Sequence, residues 1–61
     1  MKRRDLIRKL EQLGCVLTRH GSNHDWYSNL LTKQSQAIPG HNEINEHLAR
    51  TILKAMANDN L

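Results

Sequence analysis

Residues 21 to 27 read GSNHDWY and place His24 directly after Gly21, Ser22 and Asn23, two positions before Trp26. Histidine ionises near neutral pH, so an imidazole reached by solvent can take or give a proton under physiological conditions. RNA carries its own nucleophile, the ribose 2′-OH. Cutting its backbone needs little beyond proton transfer and positive charge near the phosphate, and an aromatic ring beside the histidine could stack on a base. The ordinary reading makes His24 a polar residue at a strand edge and Trp26 part of the core, and composition and spacing by themselves favour it.

Other chemistries find less support. Histidines stand at 20, 24, 41 and 47, but none forms an i, i+4 pair on a helix and no cysteine or carboxylate joins them at ligand spacing, so no metal is expected. His47 reads as a surface residue. No serine-histidine-aspartate arrangement, Walker-type phosphate loop or carboxylate pair suited to glycosidic chemistry is present. Cys15 is the single cysteine; it cannot form an internal disulfide and reads as a small buried residue.

Nine Lys and Arg stand against six Asp and Glu, a net charge of +3, and Lys2, Arg3, Arg4, Arg8 and Lys9 crowd into the first nine positions. Such a cluster suits a polyanion or an acidic protein surface. A solvated helix face is the plain alternative.

These residues must be positioned by a small frame. From Arg3 to Leu13, Leu6, Ile7, Leu10 and Leu13 make one helical stripe, and Gly14 stands where a left-handed residue commonly ends a helix. CVLTR at 15 to 19 reads as a strand and HGSN as a hairpin turn. A second strand from His24 would put His24, Trp26 and Ser28 on one face and Asp25, Tyr27 and Asn29 on the other. After a turn at TKQS, SQAIP makes a short third strand ending at Pro39. A last helix from about Asn45 to Asn58 carries Ile44, Leu48, Ile52, Ala55 and Met56 in a stripe, with Asn45 as N-cap and Glu46 at the positive helix end.

The expected fold is α+β, ordered α-β-β-β-α: a three-stranded antiparallel sheet with both helices on one face and the other face open. Sixty-one residues permit one domain, since a chain this short buries only about 60% of its unfolded surface. No apolar run approaches the roughly 20 residues of a membrane span. No membrane association and a cytoplasmic location are expected.

Taken together, GSNH at 21 to 24, IPGH with Pro39 and His41, and EINEHLARTILKAM at 43 to 56 resemble the HicA toxins, small ribonucleases of bacterial HicA-HicB toxin-antitoxin pairs. The resemblance covers nearly the whole chain. It implies a fold like that of double-stranded-RNA-binding domains, cleavage of mRNA without a required metal or other cofactor, and toxicity that depends on the histidine of the Gly-Ser-x-His turn, here His24. It also implies a HicB antitoxin that covers the active surface, with DNA contacted only indirectly through that antitoxin.

On this reading His24 is the general acid or base. His41 is a second proton carrier or a structural hydrogen-bonding group, while Gly21 and Ser22 shape the turn, Gly21 by supplying a backbone angle other residues avoid. Arg19, Lys33, Lys2 and Arg3 are expected to contact RNA, and Trp26 to stack on a base. Asp25 departs from the apolar residue expected there, and its inward direction suggests a bulge or register shift in the second strand. Two rival readings stay open: a non-catalytic RNA-binding module of the same fold, and a protein-interaction domain whose basic first helix meets an acidic partner.

Overall fold

A computed structural model of the chain describes residues 1–57. It contains helix α1 (Arg3–Gln12), strands β1 (Cys15–His20), β2 (His24–Asn29) and β3 (Ser35–Pro39), and helix α2 (Glu46–Met56). The strands form an antiparallel sheet in the order β1-β2-β3. The α-β-β-β-α order expected from periodicity is the one observed. His20, assigned above to the turn, instead closes β1 opposite Asp25. The expected end of the last helix at Asn58 lies outside the described residues.

Both helix boundaries have local causes. Gly14 holds φ at +92°, a left-handed value that costs glycine little, and its N–H donates to the Glu11 carbonyl at 3.0 Å, so α1 ends there. The Asn45 side chain accepts the Leu48 N–H at 3.1 Å and starts α2 by satisfying one of its orphan donors.

The core lies between the helices and one face of the sheet. Leu6, Leu10, Ile38 and Met56 are fully buried, joined by Cys15, Tyr27, Ile44, Ala49 and Ile52. Along α2 the inward line is Ala49, Ile52 and Met56, with Leu53 packed at its margin. Leu48 and Ala55, expected inside, are exposed. At 3.6 residues per turn both lie roughly a quarter turn from that line, and small Ala49 rather than Leu48 occupies the buried position.

Among the described residues, one polar side chain belongs to this interior. Asn29 is completely buried. Its amide nitrogen donates to the Met56 carbonyl at 2.8 Å and the Leu13 carbonyl at 3.3 Å, while its oxygen accepts the N–H groups of Leu31 at 2.8 Å and Thr32 at 3.3 Å. Two helix C-termini and the β2–β3 turn thus converge on one amide, which supplies partners the helix ends lack internally.

Burial raises the pKa of the Cys15 thiol, and burial is the main cause of the raised Tyr27 phenol value. Each group is held in its neutral form by the fold, so the associated stability is complete below the ordinary thiol and phenol pKa values and is lost as pH climbs through the raised ones. Urea midpoints should therefore hold steady through neutral pH and fall above about pH 9. A midpoint that rose with alkalinity would contradict this. Asn29→Leu, of similar size but without hydrogen-bonding groups, should lower unfolding free energy by about 2–4 kcal/mol; an unchanged urea midpoint would show that the amide carries no such weight.

Candidate active site

The β1–β2 turn and the segment leaving β3 meet at one end of the sheet. The Gly21 N–H donates to the His24 carbonyl at 2.9 Å, and the Gly40 N–H donates to the Asn23 carbonyl at 3.0 Å. His24 pairs with Pro39 across the strands. Together these contacts form an open cleft lined by Ser22, Asn23, His24, Gly40 and His41. His24 and His41, seventeen positions apart in the chain, line the same depression, and both are exposed.

The need for glycine at 21 differs from the expected one. Among the described residues Gly14 is the glycine with positive φ; Gly21 is needed for space. A Cβ there would lie 2.5 Å from the His24 carbonyl oxygen, closer than van der Waals contact allows, because the hairpin's own hydrogen bond brings the backbones together. At Gly40 a Cβ would lie 3.2 Å from the Asn23 oxygen, a milder conflict at the second crossing.

Alternation along β2 places side chains as expected. Tyr27 and Asn29 are buried and Asp25 mostly so, while His24 and Trp26 are exposed on the opposite face. The irregularity anticipated in β2 lies instead in β1, between Leu17 and Arg19. This bulge has a consequence for charge. Strict alternation from buried Cys15 would send Arg19 toward the helices, but the shift pairs Arg19 with Trp26, and directly opposed residues share a face. Arg19 and Trp26 therefore stand side by side on the open face, with small Ala37 opposite Trp26 on β3.

Asp25 points inward and meets Arg3. The guanidinium donates to the Asp25 carboxylate at 2.6 Å and, through Nε, to the Pro39 carbonyl at 2.8 Å. The Nδ1 of His20 lies 2.5 Å from the other carboxylate oxygen. Asp25 needs no distortion of β2, since a cation from α1 reaches it.

The segment beyond His41 is tied to the start of the chain. The Arg3 N–H donates to the Asn42 carbonyl and the Ile44 N–H to the Met1 carbonyl, both at 2.8 Å. The Met1 ammonium donates to Glu43 Oε2 at 2.9 Å. That hydrogen bond is the largest cause of a raised ammonium pKa and of a lowered Glu43 value.

Other expected site residues are distributed unevenly. Lys2 is exposed beside Glu43 and does not line the cleft, whereas Arg3 spends its Nε and one terminal nitrogen on structural contacts. Lys33, at φ +67°, lies in the β2–β3 turn, beyond the far end of a strand about 17 Å long that starts at His24. Asn23 and Gly40, which belong to the GSNH and IPGH motifs without a chemical role of their own, also line the cleft. Among the described residues no three of His, Cys, Asp and Glu gather as a metal-binding group, and no helix is long and apolar enough to cross a membrane.

Gly21→Ala should displace the His24 backbone without altering the imidazole. The expected result is a changed His24 amide resonance and a loss of about 1–2 kcal/mol of stability, with exposed Ser22→Ala as a near-silent control. A Gly21→Ala spectrum that superposes on the parent would refute the steric account.

A family model described as the HicA toxin of bacterial toxin-antitoxin systems matches residues 3–57. No significant match exists among curated proteins or among solved structures. The family match runs from the first residue of α1 past the last of α2, taking in the cleft of His24 and His41, and the chain therefore belongs to the HicA toxin family.

Proposed function

We propose that this chain is a metal-independent endoribonuclease that cleaves mRNA and so inhibits translation, with His24 as the general acid or base. The observation that carries the reading is the cleft shared by two exposed histidines, on a sheet face that also presents Trp26 and Arg19. Cleavage by internal attack requires one group to take the 2′-OH proton and another to protonate the departing 5′-oxygen. One imidazole does not comfortably do both within a single step. His41 lines the same cleft and suits the second role, whichever of the two His24 performs.

Arg19 supplies positive charge for the phosphorane-like transition state, and Trp26 offers a surface on which a neighbouring base can stack. Exposed Lys2 adds to the field that attracts the strand, with Arg3 behind it. Lys33 would meet only RNA that runs the length of the sheet. The α-β-β-β-α order and open sheet suit a fold like that of double-stranded-RNA-binding domains. The proposed partner is a HicB-like antitoxin that covers this face, contacts DNA on the pair's behalf and acts with the toxin in the cytoplasm.

His24→Ala should keep the fold and antitoxin binding while reducing RNA cleavage by at least about a hundredfold and abolishing growth arrest. In the presence of a chelator the parent should release products ending in a 2′,3′-cyclic phosphate or its hydrolysed form. Undiminished toxicity in a folded His24→Ala variant would sink the catalytic assignment. Activity lost to EDTA and restored by a divalent ion would replace this route with a metal-assisted one. RNA bound with strong salt dependence yet never cut would favour the binding-module reading.

A further inference from the structure

A second cleft lies at the start of α1. It is lined by Lys2, Arg3, Arg4 and Asn42, and consecutive residues connect it to the first: Gly40 and His41 line the histidine cleft, and Asn42 lines the basic one. The basic cleft is not a floppy charged tail. Its two sides are held together by the Arg3 N–H bond to the Asn42 carbonyl and by the bridge between Lys2 and Glu43.

The charges around it are only partly neutralised. Arg3 is committed to Asp25 and the Pro39 carbonyl. Glu43 is bonded to the Met1 ammonium at 2.9 Å and only reaches Lys2 at 4.0 Å. Arg4 is exposed and, among the described residues, has no carboxylate within ion-pair distance. Lys2, Arg4 and Asn42 thus surround a concave surface whose lining, among the described residues, includes no carboxylate, with Glu43 reaching it only through Lys2 at 4.0 Å. A guanidinium and an amide donor suit a phosphate's several acceptor oxygens.

We infer that Arg4, Lys2 and Asn42 form a second phosphate subsite, which holds the backbone phosphate next to the one cut at His24. The inference rests on the ribonuclease reading for the identity of the strand. It adds that the substrate is recognised as a polynucleotide with at least one phosphate beyond the scissile one. Arg3 supports the subsite from behind, and Arg4 is its principal contact.

The test compares two substrates on the full chain: a dinucleoside monophosphate, which has only the scissile phosphate, and a single-stranded oligoribonucleotide of mixed sequence. Arg4→Gln should raise KM for the oligomer about tenfold with little change in kcat, leave dinucleoside cleavage unaltered, and reduce the salt slope of oligomer binding by about 0.7, as for one phosphate contact on a single strand. Arg4→Lys should recover part of the loss. Equal losses on both substrates, or none on the oligomer, would overturn the subsite.

Binding of the same oligomer is measured in parallel in the His24→Ala background, with and without Arg4→Gln. If the parent cuts nothing but Arg4→Gln still weakens binding tenfold, the catalytic reading fails and the subsite stands. If the parent cuts RNA and Arg4→Gln changes neither binding nor KM, the subsite alone fails. Loss of antitoxin binding with RNA affinity intact would assign the cleft to an acidic protein segment instead and overturn the proposal.

Discussion

The candidate site depends on what one guanidinium does behind it. Arg3 joins the first turn of α1 to β2 through Asp25 and to the end of β3 through the Pro39 carbonyl. Ion pairs on open surfaces contribute little, because water solvates both partners and competes for them. This pair is more sheltered: the Arg3 and Asp25 side chains are only 24% and 17% exposed, and removal of either would leave a partly desolvated charge without its partner. Its two anchor points lie immediately beside residues that line the cleft. Asp25 follows His24, and Pro39 precedes the Gly40–His41 segment. The backbone on both sides of the cleft is therefore braced by a helix that contributes no side chain to the cleft itself.

Asn29 performs the matching role at the opposite end of the sheet. Apolar contacts are largely indifferent to direction, and a core of Leu, Ile and Met can tolerate small slips. A strand cannot slip by one residue without turning every side chain to the other face, which here would carry His24 and Trp26 inward. The hydrogen bonds of Asn29 to Leu13 and Met56, and of Asp25 to Arg3, allow one register. Polar groups at the two ends define the alignment, and the apolar layer between them supplies most of the burial.

Much of this was legible in the chain because local rules generate it. Periodicity marked both helices, Gly14 and Asn45 marked their ends, and alternation in HDWYSN correctly set His24 and Trp26 apart from Tyr27 and Asn29. What escaped was long-range or depended on packing distance. Arg3, the cation that meets Asp25 from α1, lies 22 positions away, and no local pattern announces it. The bulge in β1 exists only relative to β2, so the outward turn of Arg19 could not be read from β1 alone. Leu48 and Ala49 both fit a helical stripe, and only the arrangement of neighbouring elements decides which one faces inward. At Gly21 the residue type was recognisable as a turn former, but its requirement arises from the nearness of another carbonyl rather than from its own dihedral angles.

The Asn29 amide also bears on how the molecule assembles. It needs the end of α1, the turn after β2 and the end of α2 at the same time, while the clefts need residues 1 to 4 laid against residues 40 to 44. These closures span most of the described chain, so neither half contains a self-sufficient unit. Folding of so small a domain is then a single cooperative event, and the cleft of His24 and His41 forms together with the contacts that stabilise the whole. A partly folded chain carries the histidines but not the cleft that unites them.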